Sequence, residues 1–285
     1  MANNTQPVYH THISSKHRWF DLKLKEVWQY RDLILLFTKR WFVIKYKQTI
    51  LGPAWIFLNP LFSSIIYAFV FGGIAGIGTD GIPSLLFYLC SNAMWLYFSS
   101  CVVNNARTFT ENAGVFGKVY FPRLTTPISN MLASVLQFGV QMSLVIIFLV
   151  YYLFRGQVAP NWAAWLLIPV VLIHLGMLGV GCGIIVSSLT TKYRDLAVLV
   201  EFAIQLWMYA TPIVYPMSEL NVGWMRTILM INPVTAPVEL FRYAVLGQGA
   251  VMPGALALSW GITIAVMLIG IMIFNKVEKT FMDTV

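Results

Sequence analysis

Charged residues are scarce in this chain: Asp, Glu, Lys and Arg together make up 11% of its 285 residues, against roughly 25% in soluble domains. Apolar residues reach 58%. That balance excludes a water-soluble globular fold, and the same apolar content excludes disorder. Cysteine is sparse too. Cys90, Cys101 and Cys182 each sit inside an apolar run, with no Cys-x-x-Cys pair and no His at ligand spacing. They read as small buried residues, and neither a disulfide nor a metal site is expected. Also missing are Gly-x-x-x-x-Gly-Lys-Ser/Thr, His-Glu-x-x-His and Gly-x-Ser-x-Gly. Gly114-Val-Phe-Gly117-Lys118 is the nearest approach to a nucleotide loop, and it lacks the spacing and the hydroxyl. No catalytic residue and no cofactor is therefore expected in this chain. If cargo moves at the expense of ATP, another chain must hold the nucleotide and its Mg. Residues 1–31 lack the uninterrupted apolar stretch of a signal peptide.

What is abundant is long apolar sequence. A helix crossing the hydrocarbon core needs about 20 mostly apolar residues, and six stretches qualify, near 54–75, 83–106, 128–154, 162–189, 197–217 and 255–275. Their length and continuity predict helices rather than alternating strands. The cations then orient them. Lys16, Arg18, Lys23, Lys25, Arg31, Lys39, Arg40, Lys45 and Lys47 precede the first stretch. Arg107, Lys118 and Arg123 fall between the second and third, Lys192 and Arg194 between the fourth and fifth, and Lys276 and Lys279 after the last. Only Arg155, Arg226 and Arg242 remain for the opposite side. The rich side is the cytoplasmic one, which predicts both termini in the cytoplasm. It also explains the net charge of +8 without a nucleic-acid partner.

The expected organisation is a cytoplasmic segment over 1–53, a six-helix membrane domain over 54–275 and a cytoplasmic tail over 276–285. Within 20–47, Trp28, Leu35, Leu36, Trp41, Phe42 and Ile44 interleave with basic residues, the pattern of an amphipathic helix lying in the interface. Such a helix either anchors the chain or offers a docking surface. Loop 107–127 mixes Phe116, Tyr120 and Phe121 with Lys118 and Arg123; it either carries the topology signal alone or rests at headgroup depth and holds a phosphate. Residues 218–254 are too polar to span, yet contain two short apolar runs separated by Pro233 and Pro237. These predict a pair of short re-entrant helices between spans five and six. Polar residues recur at helical spacing inside the spans: Asn59, Ser63 and Tyr67; Tyr88, Asn92, Trp95 and Ser99; Glu201, Gln205 and Tyr209. They either line a watery path or pack helices together, and Glu201 is near enough to the cytoplasmic end to snorkel. Trp55, Phe62 and Phe69 lie seven apart on one face, suiting either lipid contact or the stacking of sugar rings.

The run Tyr46-Lys-Gln-Thr-Ile-Leu-Gly-Pro-Ala-Trp55 with Asn59-Pro60, the loop Phe116-Gly-Lys-Val-Tyr-Phe-Pro-Arg123 and Asn232-Pro233 resemble, in order along nearly the whole chain, ABC transporter permeases that export polysaccharides. The likeness is greatest to Wzm-type O-antigen permeases, with capsule and teichoic acid exporters similar. The resemblance implies a homodimeric six-helix permease in the bacterial inner membrane, joined to two copies of a separate ATPase subunit. Its cargo would be an undecaprenyl-diphosphate-linked glycan moving from cytoplasm to periplasm. On this reading Trp28, Arg31, Lys39 and Arg40 couple to the ATPase, loop 107–127 is a cytoplasmic gate and the short helices of 218–254 a periplasmic one. Lys118 and Arg123, then Arg107, Lys45 and Lys47, are the expected diphosphate ligands, since phosphate oxygens match their donors. Trp55, Asn59, Phe62, Tyr67, Phe69, Glu201, Gln205, Trp207 and Tyr209 would line the glycan path. An exporter of small amphipathic molecules and an enzyme acting on polyprenyl phosphate are the alternatives; the enzyme would need a cluster of acids and bases that the cytoplasmic segments lack.

Overall fold

The computed structural model describes residues 24–47, 51–193, 195–219 and 222–284. Lys16, Arg18, Lys23, Arg194 and residues 48–50 of the Tyr46–Trp55 run lie outside them. In chain order the helices are α1 (Leu24–Gln29), α2 (Arg31–Tyr46), α3 (Trp55–Tyr67), α4 (Ser84–Ala106), α5 (Thr108–Phe116), α6 (Thr125–Phe154), α7 (Ile168–Thr190), α8 (Leu196–Tyr209), α9 (Gly223–Ile231), α10 (Thr235–Leu246) and α11 (Pro253–Thr284). Among the described residues, five helical stretches are long and apolar enough to cross a bilayer: Gly52–Ile74, Ser84–Ala106, Thr125–Phe154, Ala164–Thr190 and Pro253–Glu278. The first joins α3 to a preceding 3-10 turn, Gly52–Ala54, and a following π-helical stretch, Ala68–Ile74.

The fifth expected span differs. Helix α8 has 14 residues and a rise of about 21 Å, short of the roughly 30 Å hydrocarbon core. The apolar run continues to Met217, but Pro212 and Pro216 follow closely after Tyr209. Each lacks an N–H and disfavours helix in the residue before it, so the chain leaves the helix at Ala210. The last helix departs in the other direction: α11 runs to Thr284, well past the expected end.

Helix α4 occupies the centre. It is apolar around most of its circumference, so neighbours cover it on every side; Phe87, Tyr88, Cys90, Met94, Phe98 and Cys101 are all inaccessible. Helix α7 approaches it through a row of glycines that sequence periodicity of apolar residues does not flag. A Cβ at Gly179 would lie 2.6 Å from Cys101 Cβ, and one at Gly183 would lie 2.5 Å from Asn105 Cβ and 2.8 Å from the Val102 carbonyl oxygen. Small residues let membrane helices approach backbone to backbone. On another side of α7, His174 stacks on Trp260 of α11 at 4.1 Å between ring centroids. Its Nε2 lies 3.0 Å from both Ser259 Oγ and Thr263 Oγ1.

Helix α2 lies against α6 and buries Ile34 and Thr38, while Val27 of α1 is buried as well. The Thr38 hydroxyl donates to the carbonyls of Ile34 (2.8 Å) and Ser129 (3.2 Å). The other side of α2 exposes Leu35, Leu36 and Ile44, and α1 exposes Trp28. An element apolar toward the bundle and apolar toward the outside, with cations between, suits the membrane surface.

The two short helices expected over 218–254 are α9 and α10. Helix α10 is buried along nearly its whole length, including Glu239 and Arg242, which are 2% and 1% exposed. Arg242 Nη2 donates to Glu239 Oε1 at 2.5 Å and to the Pro212 carbonyl, while its guanidinium lies 4.7 Å from the centre of the Phe87 ring. The second Glu239 oxygen accepts the Ala250 N–H at 3.0 Å. This pair joins α10 to the segment after α8 and to the turn leading into α11.

Candidate functional site

A cleft of about 500 Å³ opens where α2, α5, the C-terminal end of α4 and the N-terminal ends of α6 and α8 converge. Its charged lining is Arg40 and Lys45 from α2, Arg107 from the α4–α5 junction, Glu111 from α5 and Glu201 from α8. Arg107 has its place because α4 cannot continue there: with φ −100° and ψ 6° it breaks the helix, and α5 starts in a new direction at Thr108. Thr190 Oγ1 donates to the Ala106 carbonyl at 3.3 Å and Phe109 N–H donates to Ser187 Oγ at 3.1 Å, so the end of α7 holds this bend from both sides.

The Arg107 guanidinium donates to Glu201 and lies 3.8 Å from Glu111. Its side chain and that of Glu201 are 41% and 40% exposed, so the pair is screened and of the kind worth about 0.2–1 kcal/mol. Burial raises the pKa of Glu111, with Arg107 opposing the rise. Lys45 extends over the Trp41 ring, 4.4 Å from its centre, and reaches Gln137 Oε1 at 3.4 Å; burial lowers its pKa. Amides complete the floor. Asn130 Nδ2 donates to the Asn104 carbonyl at 3.3 Å and to Asn105 Oδ1 at 3.4 Å, and Asn104 and Asn112 also face the opening. Three cations, two carboxylates and several amides make a compartment suited to an anionic group carrying several oxygens.

The residues expected to hold diphosphate thus separate. Lys45 and Arg107 line the cleft. Lys47 and Lys118 are exposed on the segments that follow α2 and α5. Arg123 is directed elsewhere: its Nε is 3.7 Å from Glu278 Oε1, its Nη1 donates to the Glu278 carbonyl at 2.5 Å, and the guanidinium lies 5.5 Å from the Phe116 ring centre. Burial lowers its pKa, with Glu278 opposing. It fastens the 117–124 loop to α11. Neutralising Arg123 is accordingly expected to loosen that loop, seen as faster proteolysis within 107–127, whereas Lys118→Gln leaves the cleavage pattern as it was.

Of the expected coupling residues, Trp28, Arg31, Lys39 and Arg40 are all exposed on α1 and α2, and Arg40 also reaches the cleft. The expected glycan-lining set divides as well. Trp55, Asn59 and Phe62 are exposed along the outside of α3 and Phe69 on the π-helical stretch after it, and Gln205 and Tyr209 along the outside of α8. Tyr67 turns inward, its hydroxyl 3.6 Å from Met208 Sδ and its ring 6.3 Å from that of Tyr88. Trp207 packs edge-on against Phe98 at 5.3 Å and donates its indole N–H to Asn232 Oδ1 at 3.2 Å. Glu201 belongs to the cleft.

Asn232 is a junction that its sequence motif does not explain. Besides the Trp207 indole, its Oδ1 accepts the Val234 N–H at 3.1 Å, and its Nδ2 donates to the Ala210 carbonyl (2.8 Å) and to Thr211 Oγ1 (2.9 Å). Alanine here removes all four bonds. Asn232→Ala is expected to cost about 2–3 kcal/mol, because partly buried partners lose their bonds together; a lowered thermal midpoint of the purified protein checks this.

Long apolar helices, with an amphipathic helix and a charged cleft at one end, are the architecture of a membrane-embedded protein. The chain belongs to the ABC-2 type transporter family, whose model matches residues 32–246. It is therefore a transporter's membrane subunit rather than an enzyme, of a family that works with an ABC ATPase. It is similar to an O-antigen export system permease protein, RfbA, of Klebsiella pneumoniae, 28% identical over 257 residues that cover 88% of this chain and 94% of that protein. A protein of the same name from Myxococcus xanthus is 26% identical over 223 residues, covering 77% and 82%.

Proposed function

We propose that this protein is the permease of an inner-membrane ABC exporter that moves undecaprenyl-diphosphate-linked O-antigen polysaccharide from the cytoplasm to the periplasm. The observation that carries the reading is the cleft. Arg40, Lys45 and Arg107 face one opening at the end of the bundle bordered by the interfacial helix α2, the depth at which a lipid headgroup sits. Each protomer crosses six times, with α8 and the turns after it serving as the fifth crossing, and both termini are cytoplasmic. Two protomers pair through the apolar outer faces of α3 and α8. Trp55, Phe62, Phe69 and Tyr209 on those faces stack against the sugars as the chain passes between the copies. Two ATPase subunits bind under α1 and α2 at Trp28, Arg31, Lys39 and Arg40, and carry the ATP and Mg.

Catching the diphosphate needs cations in the cleft, since each charge-assisted bond is about twice as strong as a neutral one. Lys45→Gln combined with Arg107→Gln is expected to lower export about tenfold or more, a loss of at least one such bond. The measurement is surface O-antigen in a permease-deletion strain complemented with the variant, alongside the amount of permease–ATPase complex recovered. Undiminished export by a normally assembled variant would remove the cleft from the path. Restoration of a capsule or teichoic acid, but not of O-antigen, in the corresponding deletion strains would reassign the glycan and leave the transport class in place.

A further inference from the structure

We propose that Arg107 and Glu201 form a ligand-displaced latch: a diphosphate entering the cleft takes Arg107 away from Glu201, and the leading half of α8 is freed as a result. The inference rests on the lipid-diphosphate reading above and adds how loading is sensed. One guanidinium is the pivot. It is shared between Glu201 on α8 and Glu111 on α5, and its fork binds carboxylate and phosphate through the same donors. The two anions therefore compete. A diphosphate offers more oxygens and more charge, and Arg40 and Lys45 in the same cleft attract it further. The pair it must open is half-exposed and screened, hence easily exchanged.

The consequence falls on α8 because its first half is held lightly, with Val200 packed half-buried against the bundle core and the fully buried side chains further along the helix. The buried residues of α8 are Ile204 and Met208, both beyond Glu201. Val198, Leu199 and Phe202 point outward. Among the described residues, the Glu201–Arg107 pair is the polar side-chain contact that ties Leu196–Phe202 to another helix. The second half is pinned differently, by Trp207 on Phe98 and Asn232. Once Arg107 has turned to phosphate, the Glu201 carboxylate is left beside two like charges, the ligand and Glu111, which repel it. The same exchange that holds the headgroup thus pushes the start of α8 outward, and α8 lies on the face proposed for the glycan path. Arg107 is a binding residue in this scheme and Glu201 a positioning residue that acts through it.

The test follows amide hydrogen exchange over residues 195–203 in the permease–ATPase complex in lipid nanodiscs, with undecaprenyl diphosphate, inorganic pyrophosphate and undecaprenol as probes, and lipid retention measured in parallel. In the wild type, undecaprenyl diphosphate raises exchange in this segment and undecaprenol does not. A matching rise with inorganic pyrophosphate places the trigger in the diphosphate alone; a rise with the lipid only places it in the membrane-borne form. Glu201→Gln shows raised exchange before any probe is added and retains the lipid at least as well. Arg107→Gln also shows raised exchange, but retains undecaprenyl diphosphate about tenfold less well, the loss of one charge-assisted contact. The swap Arg107→Glu with Glu201→Arg rebuilds the pair, so exchange before any probe is added returns toward the wild-type baseline. A swap whose exchange stays as high as that of the single variants, a Glu201→Gln variant with wild-type exchange, or a rise caused by undecaprenol overturns the latch. Normal retention of the lipid diphosphate with unchanged exchange overturns the latch alone; absence of binding by both diphosphates overturns the substrate reading with it.

Discussion

Leucine at Gly183 is expected to abolish the folded bundle. The reason is the closeness of α7 to α4: a Cβ at that position would stand 2.5 Å from Asn105 Cβ and 2.8 Å from the backbone oxygen of Val102. Neither atom is the end of a flexible side chain, so the helices must separate. Overpacking a core costs about 1–3 kcal/mol when side chains can shift, and here the axes themselves would have to move. The same separation would strain neighbouring contacts of the α4–α7 seam, including the bond from the Tyr97 hydroxyl to the Leu172 carbonyl at 2.9 Å. Size-exclusion chromatography in detergent checks the expectation: Gly183→Leu gives aggregate or no recoverable protein. Gly114→Leu, at an open position on α5 where nothing lies within 4 Å of a Cβ, gives a normal peak.

The second large effect is expected at Glu239 and Arg242. Both are almost inaccessible, and Arg242 Nε has no hydrogen-bond partner among the described residues, so the site tolerates a full positive charge only through Glu239, the Pro212 carbonyl and the Phe87 face. Removing one partner of a buried pair costs about 3–5 kcal/mol because it strands the other charge, whereas replacing both with apolar residues is often neutral. Glu239→Leu alone and Arg242→Met alone should therefore each lower the thermal midpoint by on the order of 10 °C, and the double variant should recover most of that loss. A double variant no better than the worse single would mean that the pair's hydrogen bonds to Pro212 and Ala250 matter more than its charge. The predicted recovery concerns stability only. Because the pair ties α10 to the chain after α8, export by the double variant reports separately on whether that tie is needed for transport.

Much of the architecture is legible in the sequence because the bilayer makes coarse demands. Twenty apolar residues in a row have few alternatives to a long helix, and five of the expected stretches coincide with helices long enough to cross. The helix over 31–46 and the short pair 223–231 and 235–246 were equally readable, from charge interleaved with aromatics and from prolines between apolar runs. Local chemistry also accounts for the one shortfall: Pro212 and Pro216 stop α8, a signal present in the sequence that a window of mean hydropathy passes over.

The site was less legible. Lys118 and Arg123 share a loop rich in aromatics and look equivalent in sequence, yet Arg123 is bound to Glu278, 155 positions away, and Lys118 is exposed. Trp207 and Tyr209 are two residues apart on one apolar helix, yet one is fixed between Phe98 and Asn232 and the other faces outward. Glu201 reads as one member of a polar stripe with Gln205 and Tyr209, and becomes the partner of Arg107 only because α4 bends at the right height to meet α8. Sequence by itself determined which segments form long apolar helices and which segments gather cations, since both follow from the transfer energy and backbone preferences of neighbouring residues. Tertiary structure alone decided which cation meets which acid, which aromatic is packed and which is open, and which glycines allow two backbones to touch. Those outcomes depend on the rotation and crossing height of helices distant in sequence, and no local pattern encodes either quantity.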